Sequence, residues 1–548
     1  MADGSRPREW PADATVAYGP SPLRRLIRLA VVLGLVAVVA GCSPAGGGGT
    51  RAVPGPGTSA PPAVGPVAGT PGWQLAHPGP EHAIEGFADR TSVTPGERVR
   101  LFVSTTASSY QVTAFRIGDY AASDALAVWT SSRVAGGVQA PAVVQPSTDT
   151  VVAPWNPSLT VGTDGWPPGD YLLRLDGDSG AQQYVPLTVR TPSNQGRVVL
   201  VNAVTTWQAY NRWGGYNLYK GPDGRRESRS RAVTFDRPYE SGMSGAGQFL
   251  QFELAFVRVA ERSGAPLGYA TDIDLHADPH LLDGARAVVT PGHDEYWSTA
   301  MRTAATQARD RGVNLAFLGG NEVYRHIRLA PTTLGADRLE INYKSAGEDP
   351  VSHTDPAEST QDWRQPPDPR PESVLVGGYY SCFPGRADLV VAEPGNWLLD
   401  GIVRDGERLP GVVGVEYARV NLSVPTPRPL EVLFHSPVTC GTTRRSEFSD
   451  ATYYTTASGA GVFSTGTQDW VCGMDPDCKG GGEGGRVAQV LAAISTRLLQ
   501  QFAAGPAGLA HPAHDNLARL GIDGAARAPD PRLPRTARPS TSAASSIR

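Results

Sequence analysis

Val198-Val199-Leu200-Val201 is an unbroken apolar run that leads into Asn202-Ala203-Val204-Thr205-Thr206-Trp207-Gln208-Ala209-Tyr210-Asn211. A strand with one wet face alternates apolar and polar residues. A run without alternation predicts a strand buried on both faces. Ala287-Val288-Val289-Thr290 repeats the pattern, and Val313-Asn314-Leu315-Ala316-Phe317-Leu318 gives it a third time. Between the first two runs, Gly247 to Ala260 places Phe249, Phe252, Ala255, Phe256 and Val259 on one helical face, and Ser298 to Arg311 reads as an Ala-rich helix before the third. Strands alternating with helices predict an α/β fold with a doubly wound, mostly parallel sheet. Glu431-Val432-Leu433-Phe434 and a helix from Arg486 to Phe502 extend this domain, which is assigned to residues 193–504.

Working outward, residues 75–192 carry short β-rich runs such as Arg98-Val99-Arg100-Leu101-Phe102-Val103-Ser104 and Tyr171-Leu172-Leu173-Arg174-Leu175, with turns at Pro95-Gly96 and Pro168-Gly169. This spacing predicts an immunoglobulin-like β-sandwich ahead of the α/β domain. Residues 42–74 are Gly, Pro, Ala, Ser and Thr with little that could be buried, the composition of a flexible tether. Residues 505–548 are rich in Pro, Ala, Arg and Ser and are expected to be a disordered tail.

Residues 1–41 have the layout of an export signal. Arg24, Arg25 and Arg28 precede the apolar run Leu29 to Ala40, which is shorter than the ~20 residues a membrane span needs. Val39-Ala40-Gly41-Cys42 resembles a bacterial lipobox, so Cys42 is the expected lipidation site and the chain is expected to be anchored to the cell membrane, facing the extracytoplasmic side. Four further cysteines, Cys382, Cys440, Cys472 and Cys478, are an even number in an oxidising compartment, and two disulfides are expected. Cys472 and Cys478 flank a turn-rich loop. A zinc site would want a histidine between or beside them, and there is none. The net charge of −4 over 548 residues, with no long run of one sign, argues against a nucleic-acid surface, and 40% apolar content is ample for real cores.

Ligands of doubly wound sheets bind at the loops leaving the carboxyl ends of the strands. Those loops here are Asn202 to Tyr219, Pro291-Gly292-His293-Asp294-Glu295-Tyr296-Trp297-Ser298 and Gly319-Gly320-Asn321-Glu322-Val323-Tyr324-Arg325, all dense in aromatic, amide and acidic residues. None of the five cysteines sits at a strand-to-helix turn, and these strand ends lack Gly-x-Ser-x-Gly. His293 and Glu295 suit a metal ligand or an acid/base pair. A plainer reading puts Asp294 and Glu295 at a helix N-terminus, where carboxylates favour the dipole. Trp207, Trp213, Tyr296 and Trp297 read as pocket walls and core.

Thr206-Trp207-Gln208-Ala209-Tyr210-Asn211, Gly292-His293-Asp294-Glu295-Tyr296-Trp297-Ser298, Gly319-Gly320-Asn321-Glu322 and Gly414-Val415-Glu416 together resemble the C-terminal domain of the large (β) subunit of N,N-dimethylformamidase, over roughly Arg197 to Ala504. The resemblance implies a core similar to class I glutamine amidotransferases without their cysteine. It implies a mononuclear iron held by two tyrosines and a glutamate. Tyr210 matches the first tyrosine and Glu295 the glutamate; Tyr219 best matches the second tyrosine, with Tyr216 as competitor. His293, Asn321 and Glu416 match residues lining the family's site, where they would carry catalysis. The function implied is hydrolysis of an amide C–N bond in a small molecule. No segment here corresponds to that enzyme's small subunit, so a separate small subunit or a homo-oligomer is expected. The competing reading is a non-catalytic cell-surface lipoprotein whose aromatic cleft binds sugar or peptide.

Overall fold

In the computed structural model, residues 67–476 and 485–522 are described; the export segment, Cys42 and Cys478 lie outside them. The described residues from Ala68 onward belong to one compact unit.

The three apolar runs form parallel neighbours. We name the strands β1 (Val198–Asn202), β2 (Leu267–Thr271), β3 (Ala287–Gly292), β4 (Asn314–Gly319), β5 (Leu430–Thr439), β6 (Ser446–Thr455) and β7 (Gly461–Ser464); they form one sheet in the order β2-β1-β3-β4-β7-β6-β5. The first five in that order pair in parallel, and β7-β6-β5 pair antiparallel. Burial on both faces follows the two-residue period of a strand. Val198 and Leu200 of β1 join one core with Val289, Ala316 and Leu318. Val199 and Val201 join another with Val288, Leu315 and Phe317.

The helices include α1 (Val204–Tyr210), α2 (Leu254–Arg262), α3 (Asp272–Ala277), α4 (Thr299–Asp310) and α5 (Gly485–Ala504). Phe256 and Val259 of α2 pack with Val490, Ile494 and Leu498 of α5 on the first face. Leu275 of α3 packs with Met301 and Ala305 of α4 on the second.

The sheet also holds a strand that the apolar pattern does not announce. Leu267-Gly268-Tyr269-Ala270-Thr271 is short, contains Gly268 and follows Pro266, yet it pairs in register with all of β1. The expected helix from Gly247 to Ala260 is interrupted at Glu253, where φ is −127°. The Glu253 carboxylate turns inward and accepts from Ala203 N at 3.2 Å and Trp207 Nε1 at 2.9 Å.

Ahead of the α/β sheet, strands Ile84–Ala88, Arg98–Thr105 and Leu159–Gly162 form one sheet, and Ser92–Val93, Gln182–Val189, Gly169–Gly177, Ser109–Tyr120 and Ser123–Thr130 form another. Val99, Leu101 and Val103 of the first pack with Val112, Leu173 and Val185 of the second. These sheets are tied to the α/β part by buried polar contacts. Arg338 donates to the carbonyls of Ala88 at 3.0 Å, Asp89 at 2.7 Å and Phe235 at 2.8 Å, and pairs with Asp236 at 2.6 Å.

Two boundaries move. Trp73, expected within the tether, is buried in a core with Phe115 and Trp207, and its carbonyl accepts from Tyr184 Oη at 2.8 Å. The segment from Gly505, expected as a tail, continues as described structure to Ile522. Leu517 is buried there, and the Asn516 amide brackets Val432, accepting from its N and donating to its O at 2.9 Å each. An exposed-looking composition conceals an apolar plug and an amide that mimics strand pairing.

Cys382 and Cys440 form a disulfide across 58 residues, with Cα atoms 5.8 Å apart. Cys472 is disulfide-bonded as well.

Candidate functional site

The site lies at the carboxyl ends of β1, β3 and β4. At the end of β3, Gly292 has φ +68°, and a Cβ there would lie 2.2 Å from Phe252 O. Only glycine takes that turn without strain and without collision. The turn directs His293, Asp294 and Glu295 into the interior. The helix that follows begins at Thr299, capped by Ser298, and has no acidic residue in its first turn. Asp294 and Glu295 are therefore not dipole partners of α4, and the plainer reading is set aside.

Glu295 is pinned from its backbone. Its N–H donates to Thr206 Oγ1 at 3.0 Å, with Tyr296 N at 3.3 Å from the same oxygen. Its carbonyl accepts from Tyr324 N at 2.9 Å and Arg325 N at 2.8 Å, while Val323 N donates to Asp294 O at 2.9 Å. Those last contacts require Val323 at φ +52°. A buried β-branched residue in the left-handed region is strained, and such strain concentrates at functional sites.

Tyr210, the last residue of α1, donates to Glu295 Oε2 at 2.7 Å. Tyr219 Oη lies 2.8 Å from Tyr210 Oη, 3.1 Å from Glu295 Oε1 and 3.0 Å from Oε2. The loop between them is folded back by Asn217, whose Nδ2 donates to Tyr210 O at 2.9 Å and whose Oδ1 accepts from Tyr219 N at 2.9 Å and Lys220 N at 2.8 Å. The two rings lie with centroids 4.6 Å apart. Of the two competing tyrosines the structure brings Tyr219 to Glu295; Tyr216 packs instead with Trp155 and Trp213.

A second group adjoins the first. His293 Nε2 lies 3.6 Å from Glu295 Oε2 and 3.3 Å from Glu416 Oε2. Glu416 is held by Tyr380 Oη at 3.0 Å, Gln468 Nε2 at 3.2 Å and Asn321 Nδ2 at 3.3 Å. Gly320 permits this approach, since a Cβ there would lie 2.4 Å from Glu416 O. All six residues expected at the site are thus together, although the Asn321 amide is directed at Glu416.

Sequence reasoning missed further members. Tyr296, expected as a wall, donates to Tyr219 Oη at 2.6 Å and accepts from Lys344 Nζ at 2.5 Å. Lys344 Nζ also sits 3.7 Å from the Tyr219 ring centroid. Arg325 Nε donates to Glu295 Oε1 at 3.3 Å and its guanidinium pairs with Asp362. Tyr296 and Arg325 lie inside the strand-end segments; Lys344 comes from a loop, Tyr380 from the short strand Tyr379–Cys382 and Gln468 from the 3-10 turn Gln468–Trp470, none with a distinguishing pattern. The tryptophans are core: Trp207 contacts Phe249, and Trp297 is fully buried.

The electrostatics divide these groups. Burial pushes the Tyr210 and Tyr219 phenols well above their usual range, and the Glu295 charge adds to the push. Burial also opposes ionisation of Glu295, but His293 at 3.6 Å and the Arg325 charge prevail and hold its carboxyl down at about 2. Burial opposes charge on His293, yet the nearby Glu295 and Glu416 carboxyl groups raise it to about 10. His293 thus lies between two carboxyl groups, an arrangement that favours its protonated form.

Residues 111–481, out of 548, match the family "N,N-dimethylformamidase beta subunit-like, C-terminal". The chain belongs to this family. The match begins at Gln111, inside a strand of the second front sheet, so the dimethylformamidase-like region takes in more than the α/β sheet. No curated protein matches the sequence as a relative. One solved structure with partial similarity is a Paenibacillus sp. cycloisomaltooligosaccharide glucanotransferase complexed with cycloisomaltoheptaose, at 8% identity, TM-score 0.15, 42% of this chain and 44% of that one. Less than half of either chain is spanned, and a score that low carries no argument.

Proposed function

We propose that this dimethylformamidase-like chain is a metal-dependent hydrolase of amide C–N bonds in small molecules. The observation that carries the reading is the meeting of Tyr210, Tyr219 and Glu295, whose side-chain oxygens lie within 2.7–3.1 Å of one another in a buried site. Among the described residues no three His, Cys, Asp or Glu side chains are grouped to hold a metal, so a cation here depends on the tyrosines.

The donor set fits iron in its ferric state, because two phenolates and a carboxylate are hard, anionic oxygens. A cation would also take the place of the phenol protons that now separate three crowded oxygens. Such an ion supplies Lewis acidity toward an amide carbonyl and a lowered pKa for bound water.

This chain's own residues would do the rest. Glu416, fixed by Tyr380, Asn321 and Gln468, is placed to take a proton from water. His293, protonated and 3.3 Å from Glu416, is placed to give one to the departing amine. Arg325 keeps the Glu295 carboxylate oriented. We assign the second N–H of Asn321 as the donor to the developing oxyanion.

We place this chemistry outside the cell, held by a lipid on Cys42. Support comes from the export-signal layout of residues 1–41 and from the Cys382–Cys440 disulfide, which suits an oxidising compartment. The test of function is release of free amine from a panel of small amides by the purified chain loaded with iron. Amine release that is lost in Glu295→Ala and Glu416→Gln supports the reading. A folded, iron-loaded chain that hydrolyses none of the panel, yet binds sugars or peptides, would give the site to the binding alternative.

A further inference from the structure

Away from the Tyr210–Glu295 group, a cavity lies between the front sheets and the back of α1. It leaves about 40 Å³ for water-sized atoms. At ~10–15 Å³ for each water, that is room for about three. The rings of Tyr171, Trp207 and Phe249 form part of its wall.

Three atoms of the residues lining this cavity are buried and have no hydrogen-bond partner: Asp170 Oδ2, Asn202 Oδ1 and Arg237 Nε. These residues are 2%, 2% and 1% exposed. The remainder of each head group is fixed. Asp170 Oδ1 accepts from Asn202 Nδ2 at 2.6 Å and Thr188 Oγ1 at 3.2 Å. Arg237 Nη1 donates to the carbonyls of Trp213 and Tyr216, and Nη2 to that of Asn211, each at 3.0 Å. Folded proteins rarely leave buried polar atoms unmatched, so three around one cavity call for an occupant.

We propose that this cavity is a second binding site, for a short carboxamide of three or four non-hydrogen atoms. The two unmatched oxygens belong to side chains bonded to each other, so they ask for N–H donors from one end of the occupant. Arg237 Nε asks for an acceptor from the other end. A primary amide carries both in one plane, and flat aromatic walls suit that plane. An alkylammonium ion leaves Arg237 Nε unmatched beside its charge, and a carboxylate would face Asp170. The site is separate from the amidase reading and does not depend on it.

Thermal unfolding of the purified full chain with acetamide at 1–50 mM tests this, with acetone and ethylammonium chloride as controls. At the ceiling of binding energy per non-hydrogen atom, three or four atoms bind no tighter than ~0.04–0.5 mM. Acetamide is expected to raise the melting temperature in a saturable way, with the controls at least tenfold weaker. Thr91→Leu, which fills the cavity from its rim without touching the buried polar atoms, should abolish the shift, as should Asn202→Leu if it folds. Tyr210→Phe should leave it intact. In crystals soaked with thioacetamide, sulfur anomalous signal should appear inside the cavity. Ordered waters there with no sulfur signal, a shift that survives Thr91→Leu, or a shift lost in Tyr210→Phe would each overturn the proposal.

Discussion

Tyr210 donates its phenol hydrogen to Glu295 Oε2 at 2.7 Å across 85 residues of sequence, joining the helix after β1 to the loop after β3. The contact is held from behind. Thr206, one turn earlier on α1, accepts the backbone N–H of Glu295, so the helix that carries Tyr210 also fixes its partner.

Thr206→Val keeps the shape and removes the acceptor, leaving the N–H groups of Glu295 and Tyr296 buried and unmatched. An unmatched buried donor costs about 1–3 kcal/mol. The variant should lose roughly 2 kcal/mol in denaturant unfolding, and its amide-hydrolysing rate should fall at least tenfold. An unchanged midpoint would show that the loop is held by other contacts.

Arg338 links the front sheets to the α/β part through three backbone carbonyls and Asp236. Arg338→Met strands a buried carboxylate, and breaking a buried pair from one side costs about 3–5 kcal/mol. Urea unfolding should show that loss, or split into two transitions if the two parts come apart. A loss below ~1 kcal/mol would mean that apolar packing alone joins them.

Removing the Cys382–Cys440 disulfide with paired serine substitutions opens a loop of 58 residues. Loop-closure entropy for that length gives about 4 kcal/mol of destabilisation. Calorimetry of the double variant against wild type measures it. A drop under ~1 kcal/mol would indicate that the reduced chain retains the native proximity of the two strands.

Asp170 supplies the pH dependence. Burial pushes its carboxyl up to about 6, against hydrogen bonds from Asn202 and Thr188. A carboxyl raised above its unfolded value of ~3.9 stabilises the fold fully below that value and loses the contribution as pH rises through about 6. Asp170→Asn removes this titration. The melting temperature of the variant relative to wild type should therefore climb between about pH 4 and pH 6 and level off above that. A difference that stays constant across the window would show that Asp170 does not titrate there.

The sheet was legible because β1, β3 and β4 are covered on both faces and wrote that burial as continuous apolar runs. β2 was not, since Gly268 and Pro266 break the run and its partner β1 provides the pairing. The site divides in the same way. Tyr210, His293, Glu295 and Asn321 follow strand ends, where loops are short and their residue types stand out. Glu416, like those four, is legible through the family resemblance. Lys344, Tyr380 and Gln468 reach the site from a loop, a short strand and a 3-10 turn far along the chain, where one polar residue among many gives no signal until the fold brings it in. A Tyr between Glu and Trp reads as core, and the Tyr296 ring is core; its hydroxyl alone joins the site.

The central claim is that Tyr210, Tyr219 and Glu295 hold a single ferric ion. Metal analysis of the purified chain, taken together with its visible absorption spectrum, tests it most directly. The account predicts about one iron per chain and a phenolate-to-iron charge-transfer band that shifts or fades in both Tyr210→Phe and Tyr219→Phe. An iron-loaded chain without that band, or a band unchanged in both variants, would contradict it.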